Sequence, residues 1–203
     1  MKISFIIICV VPPALSHAND KKNSLVGFQG IPWLSNIRTV NERITGSYIR
    51  DSCQGKDRKS ENKLRQIYKR ENSSCKSVIV DEYRVANINL SLTATFNYQN
   101  QLKNIALYFK PSLSFTEDES IEECNVAYQK ILDLLEIRYD ESIGVNNGSP
   151  YWLFEKFDMR AWILNPTEIW IRKSYSKKST DSFINCNVEV NYGPRISEDA
   201  SKL

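Results

Sequence analysis

Residues 86–98 read ANINLSLTATFNY, and this stretch decides which class of fold the chain can adopt. Its apolar residues alternate with asparagine, serine and threonine without a break; they are Ile88, Leu90, Leu92, Ala94, Phe96 and Tyr98. Successive side chains of a strand point to opposite faces of a sheet, so this period of two predicts a long strand with one buried and one polar face. One-sided strands of this kind are typical of antiparallel sheets.

The segments around this strand extend it into a sheet. A polar turn leads into LKNIALYFK at 102–110, where Ile105, Leu107 and Phe109 share a face, and the pair predicts a hairpin. A second hairpin is predicted around Asn165–Pro166. The last strand, 184–192, alternates in the same way, with Ile184, Cys186, Val188, Val190 and Tyr192 on one face.

A short helix is predicted before the first hairpin. Ser35 is placed to cap it, Ile37, Val40 and Ile44 line one side, and Gly46 is a suitable residue to end it. The sequence that opens this region, FQGIPW, resembles small bacterial envelope proteins, and the resemblance implies no functional residue.

The longest helix is predicted over 117–138. It follows a capping box that begins at Thr116, and its apolar residues recur at helical spacing: Ile121, Cys124, Tyr128, Ile131, Leu132 and Leu135. A short exposed helix is also expected at 63–70, inside a polar connection over 47–77. The fold class is therefore α+β: an antiparallel sheet of hairpins packed against one long and one short helix.

The N-terminal residues 1–18 match a secretory signal peptide. Lys2 precedes a short apolar run, and Ser16-His17-Ala18 supplies the small residues that favour cleavage before Asn19. The remaining chain, 19–203, is predicted to be one periplasmic or secreted domain, with a division into similar halves at 25–112 and 113–195 as the alternative. No later segment is apolar enough over sufficient length to predict a transmembrane helix.

Cleavage would leave four cysteines, which an oxidising compartment favours as two disulfides. Cys124 lies on the apolar side of the long helix and Cys186 on the apolar face of the last strand, so we predict that they bond across the core. Cys53 then pairs with Cys75 and closes the polar connection.

Cleavage would also remove His17, the only histidine in the chain. A mature chain without histidine cannot build a Ser-His-Asp or Cys-His site, and the sequence has no glycine-rich phosphate-binding motif. We therefore expect neither a cofactor nor a metal. A carboxylate-dependent hydrolase is the remaining enzymatic hypothesis, with the acids Glu117, Asp118, Glu119, Glu122 and Glu123, although capping of the long helix is the favoured interpretation of that cluster.

Two groups of residues are candidates for binding a partner. Residues 56–76 carry eight basic side chains against three acidic ones, and the candidates among them are Lys56, Arg58, Lys59, Lys63, Arg65, Lys69 and Arg70. They predict an electrostatic surface for an acidic partner, with a solvated loop as the alternative. The aromatic candidates are Trp152, Trp162 and Trp170, near Tyr151, Phe154 and Phe157; packing beneath the sheet is the alternative for this group.

These observations predict a non-enzymatic binding protein. An inhibitor or immunity-type protein that binds a partner protein, such as a toxin or a cell-wall hydrolase, is the leading hypothesis. A module that binds an envelope glycan such as peptidoglycan, or another small ligand, is the alternative. A formal net charge of +3 gives no global case for nucleic acid as a partner.

Overall fold

The computed structural model describes residues 27–55, 57–109, 111, 117–140, 142–145, 154–164, 166–177 and 184–195. The predicted signal peptide, Lys56, Thr116, Tyr151 and Trp152 lie outside these residues. Within the described residues the fold is α+β, as predicted, with three helices, an eight-stranded antiparallel sheet and a two-stranded one.

The first part of the described chain, up to Phe109, forms two helices and six strands. In chain order they are β1 (Gly27–Phe28), β2 (Ile31–Pro32), α1 (Ile37–Arg43), β3 (Tyr48–Asp51), α2 (Arg58–Arg70), β4 (Lys76–Val85), β5 (Ile88–Phe96) and β6 (Leu102–Phe109). The later elements are α3 (Glu117–Tyr139), β7 (Ile143–Val145), β8 (Phe154–Leu164), β9 (Thr167–Lys177) and β10 (Ile184–Pro194).

The large sheet is built from two meanders, β3–β6 and β7–β10, which meet at their last strands. Its order is β3-β4-β5-β6-β10-β9-β8-β7, so β6 and β10 form the central antiparallel pair. In each meander a helix precedes four strands that pair in sequence order, except that α2 is inserted between β3 and β4. The long helix and the last strand therefore lie near the middle of the sheet, against both meanders.

The core lies on one face of the sheet, which we call the inner face. Leu90, Leu92 and Ala94 of β5 are buried there, in the same cluster as Val40 of α1 and Ile131 of α3. The residues between them on β5 are exposed or partly exposed and form part of the opposite, outer face. The alternation in 88–96 thus separates the two faces, as predicted.

Both predicted disulfides are present. Cys124 of α3 bonds to Cys186 of β10, and both are buried in the core. Cys53 bonds to Cys75 and closes the segment that carries α2. None of the helices in the described ranges combines the length and the apolar character that a bilayer crossing requires.

Four local predictions were wrong in detail. Asn36, not Ser35, caps α1: its side chain accepts a hydrogen bond from the Thr39 amide at 3.0 Å. The exposed helix is longer than predicted and begins at Arg58, because Asp57 caps it. The segment taken as a polar connection contains β3 and the start of β4. Tyr98 is exposed in the turn beyond β5 instead of lying on the strand.

Candidate functional site

The inner face is incompletely covered where α3 passes in front of the first meander. The space between them is a cavity of about 410 Å³, which we call the tyrosine cleft. Four strands of the sheet, the C-terminal half of α3 and the β1–β2 hairpin enclose it. Its lining residues are Gly27, Phe28, Gln29, Tyr83, Val85, Leu90, Leu107, Ile131, Leu134, Leu135, Ile137, Arg138, Tyr139, Val190 and Tyr192.

A bulge in β4 places one of the three tyrosines in the cleft. Val78 and Val80 face the core, and the register with β5 then shifts between Val80 and Tyr83. A strand that gains one residue reverses which side chains face inward. Tyr83 and Val85 therefore lie on the inner face, where a regular strand would have placed Glu82 and Arg84.

The β1–β2 hairpin forms one wall of the cleft through a close backbone contact. A Cβ atom on Gly27 would lie 1.9 Å from the carbonyl oxygen of Ile31, so only glycine lets the two short strands approach in this way. The hairpin holds Phe28 edge-on to Tyr192, with ring centroids 5.1 Å apart. Gln29 donates a hydrogen bond to the hydroxyl of Tyr83.

The cleft has mostly apolar walls, and its polar side chains are three phenols together with Gln29 and Arg138. Aliphatic side chains from α3 and from the sheet supply most of the surface, and the three phenols belong to Tyr83, Tyr139 and Tyr192. The guanidinium of Arg138 lies 5.7 Å from the ring centroid of Tyr139. At the mouth, Leu134 is 38% exposed and Ile137 is 81% exposed.

Burial raises the pKa of two of the cleft phenols, Tyr192 and Tyr83. It raises the pKa of Tyr192, and the nearby phenols of Tyr139 and Tyr83 raise it further, while Arg138 acts in the opposite direction. Burial also raises the pKa of Tyr83, and the hydrogen bond from Gln29 partly offsets that effect. Both hydroxyls are therefore protonated at neutral pH and can act as hydrogen-bond donors.

The raised pKa of Tyr192 predicts a stability loss at alkaline pH. Above about pH 10 the unfolded chain releases the phenol proton while the folded protein retains it, so the free energy of unfolding falls as pH rises. Tyr192→Phe removes this group and is expected to make the fall shallower, by up to about 1.4 kcal/mol per pH unit. Urea unfolding at a series of pH values measures the slope.

Tyr98→Phe is the matched control, because it removes a phenol that is 48% exposed and lies outside the cleft. We expect its slope to equal that of the wild type. Equal slopes for Tyr192→Phe and the wild type would contradict a buried, neutral phenol at this position.

The structure places the basic candidates on an exposed helix. Arg58, Lys59, Lys63, Lys69 and Arg70 belong to α2, which buries none of its residues. Arg65 pairs with Glu61 at 2.8 Å and with Asp51 at 3.2 Å, which ties the helix to the end of β3. Within the described residues, the other five make no ion pair within 4 Å.

The two described tryptophan candidates point to opposite faces of the sheet. Trp162 pairs with Ile169 and Trp170 with Ala161, so they are not cross-strand neighbours. Trp162 is 2% exposed and donates a hydrogen bond to the backbone oxygen of Asp140 at 2.9 Å, which makes it a core residue. Trp170 lies on the outer face, with the Arg172 guanidinium 5.6 Å from its ring centroid.

The acidic candidates lie along the start of α3. Glu119 and Glu122 are exposed and Glu123 is partly exposed. All three lie on the first two turns of the helix.

Sequence reasoning missed the tyrosine cleft, although two signals pointed toward it. Apart from Ile79, the apolar residues of β4 occupy even positions at Val78 and Val80 and odd positions at Tyr83 and Val85. That change of parity is the mark of a bulge. The second signal was the position of Tyr192 on the apolar face of the last strand. Neither signal showed that α3 would leave space above these residues.

Comparison with known proteins gives no match to a family model, to a curated sequence or to a solved structure.

Proposed function

We propose that this chain is a non-enzymatic binding protein whose ligand occupies the tyrosine cleft. The ligand is a small apolar molecule with one hydrogen-bond-accepting end, such as a medium-chain carboxylic acid. The observation that carries this proposal is a cavity of about 410 Å³ whose walls are aliphatic and whose polar groups include three phenols.

The size and the chemistry of the cleft both support this ligand class. Small-molecule sites typically measure about 300–1,000 Å³ and combine apolar walls with a few placed polar groups. Neutral phenols donate hydrogen bonds, so Tyr83 and Tyr192 suit a carboxylate or carbonyl oxygen. Arg138, at the C-terminal end of α3, adds a positive charge that favours an acidic end group.

Secretion or export to the periplasm is part of the proposal. The signal-peptide pattern at residues 1–18 supports it, and the two disulfides fit an oxidising compartment. A binding protein for an apolar molecule has a role there, because such molecules cross an aqueous compartment slowly unless they are shielded from water.

Fluorescence titration with N-phenyl-1-naphthylamine tests the proposed function. The dye emits strongly only in apolar surroundings, so we expect a saturable rise in fluorescence at a stoichiometry of about one. Decanoate should then displace the dye. A linear, non-saturating response, or displacement by glycerol at the same concentration, would contradict a defined apolar site.

A partner protein is the second candidate, and the outer face of the sheet favours it. One cross-strand row runs over all eight strands: Tyr48, Ile79, Thr93, Ala106, Asn191, Trp170, Ala161 and Ile143. Tyr48 is 44% exposed and Ile143 is 57% exposed. Trp170 is partly exposed, whereas Ala106 and Ala161 are buried. Exposed and partly exposed aromatic and apolar residues on a sheet face are suited to a protein interface, as an inhibitor or immunity-type protein requires.

This second candidate predicts that the purified protein slows the lysis of bacterial cell walls by at least one peptidoglycan hydrolase. Trp170→Asp should abolish the inhibition, because it replaces the only tryptophan of the row by a charge. Val126→Asp, on the exposed side of α3, should leave it intact. Equal inhibition by both variants, or none by the wild type across a hydrolase panel, would refute the outer face as an inhibitory surface.

A further inference from the structure

A second groove lies outside the tyrosine cleft, at the ends of β5, β6 and β10. Its volume is about 630 Å³. Tyr68, in the C-terminal turn of α2, and Asn72, just after that helix, form one wall, and Leu34, before α1, lies on another side. Thr95 and Asn104, on the outer face of the sheet, contribute to its floor. We call this site the polar groove.

The backbone around the polar groove is fixed by bonds from several elements. The Ser74 amide donates to the Phe96 carbonyl at 2.9 Å, and its hydroxyl donates to Asn100 Oδ1 at 2.8 Å. The Leu34 amide donates to the Leu102 carbonyl at 3.1 Å. The disulfide between Cys75 and Cys53 attaches the same segment to the residues that precede α2. The walls are therefore held in place before any ligand arrives.

Two residues of the groove adopt a left-handed backbone conformation. Leu34 has φ of 68°, which is rare for a bulky residue, whereas Asn72 has φ of 48° directly after the C-cap of α2, where asparagine commonly adopts it. Such conformations persist where the surrounding structure imposes them, and they concentrate at binding sites. Leu34 is 59% exposed and presents an apolar surface to the groove.

The side chains of the groove combine one aromatic ring with hydroxyl and amide groups. Tyr68 offers a partly exposed ring, against which the C–H groups of a sugar can pack. Asn72 and Asn104 offer both donors and acceptors, and Thr95 offers a hydroxyl. A saccharide needs this combination, because each sugar presents an apolar ring face and several hydroxyls.

The charge of the groove selects among saccharides. Lys103 is exposed among the lining residues, and the part of the lining that the structure describes contains no carboxylate. Lys69 and Arg70 follow Tyr68 in the last turn of α2 but do not line the groove, and Glu71 caps that turn. Lys103 is therefore the cation that favours an anionic ligand over a neutral one.

We infer that the polar groove binds an acidic saccharide, with Tyr68 packing against a sugar ring, Asn72 and Asn104 bonding its hydroxyls and Lys103 pairing with its anionic group. This site is separate from the tyrosine cleft and does not depend on the ligand proposed there. From the basic helix it uses Tyr68, in the last turn of α2.

Isothermal titration calorimetry with a heparin-derived tetrasaccharide tests the inference. We expect saturable binding that weakens about tenfold in Tyr68→Ala and in Asn104→Ala, and that weakens and becomes less salt-dependent in Lys103→Gln. Chitotetraose, which is neutral, should bind about tenfold more weakly than the acidic probe. The cleft variant Leu134→Trp should bind the tetrasaccharide as the wild type does.

Matched variants separate recognition of a sugar from attraction to any polyanion. Tyr98→Ala removes an exposed tyrosine outside the groove and should leave binding unchanged. Lys59→Gln, at the opposite end of α2, should change affinity less than Lys103→Gln does. A tetra-aspartate peptide that binds as tightly as the tetrasaccharide, no loss of affinity in Tyr68→Ala, or no binding at all would each overturn the inference. A thermal melt of each variant checks that it remains folded.

Discussion

Replacing Cys124 and Cys186 together by alanine is expected to lower the free energy of unfolding by about 4 kcal/mol. The disulfide closes a loop of 62 residues, and the chain-entropy estimate for a loop of this length gives that magnitude. Both cysteines are buried between α3 and β10, and alanine leaves no unsatisfied polar atom there. Urea unfolding monitored by tryptophan fluorescence measures the loss.

The second disulfide supplies the control for this prediction. Replacing Cys53 and Cys75 by alanine opens a loop of 22 residues, and the same estimate gives about 3 kcal/mol. The two variants should differ more clearly in binding: α3 forms a wall of the tyrosine cleft, whereas α2 does not. The Cys124 and Cys186 variant should bind N-phenyl-1-naphthylamine more weakly, and the Cys53 and Cys75 variant should bind it normally. A loss below about 1 kcal/mol for the first pair would contradict its role in holding α3 to the sheet.

Leu134→Trp is expected to weaken the binding of N-phenyl-1-naphthylamine about tenfold or more. Leu134 lines the tyrosine cleft and is 38% exposed at its mouth. A tryptophan there adds an indole ring to the space that a ligand must enter, without a volume change in the closed part of the core. Loss of about 1.4 kcal/mol of binding free energy corresponds to each tenfold weakening. The fluorescence titration used for the wild type gives the affinity.

Val126→Trp is the matched control for this variant. Val126 is on the same helix, is 41% exposed and does not line the cleft. We therefore expect its affinity for the dye to equal that of the wild type. Equal weakening in both variants would show that a general disturbance of α3, and not occupation of the cleft, reduces binding.

Regular patterns in the sequence predicted the centre of this fold. The alternation over β5 and the matching face of β6 indicated the first hairpin, and the helical spacing over α3 indicated the long helix. The two disulfides followed because Cys124 and Cys186 each occupy the apolar side of a regular element. In a regular element with one buried side, the spacing of the apolar residues in the sequence shows which side faces the core.

The first two strands of the large sheet were missed for physical reasons that the structure makes clear. β3 is a four-residue edge strand with no buried residue, so it has no apolar pattern to detect. β4 has a strong pattern, but the bulge after Val80 interrupts its alternation. The exposed helix α2 lies between them, and because of its charged residues the whole of 47–77 was predicted as a polar connection.

The candidate site depends on packing between distant elements, which no local pattern encodes. Tyr83 reaches the inner face through a bulge, Tyr192 through the alternation of β10, and Tyr139 through the end of α3. Their proximity requires the sheet order in which β10 lies beside β6. The tryptophans chosen as candidates from the sequence do not share one site, because Trp162 is a core residue and Trp170 is on the outer face.

The occupation of the tyrosine cleft by an apolar ligand is tested most directly by nuclear magnetic resonance. Amide spectra of the ¹⁵N-labelled protein would be recorded during a titration with decanoate. We predict saturable shifts at Tyr83, Leu134 and Tyr192, which line the cleft, and unchanged signals at Thr93 and Trp170 on the outer face. Shifts confined to the outer face, or spectra that decanoate leaves unchanged, would contradict the proposed site.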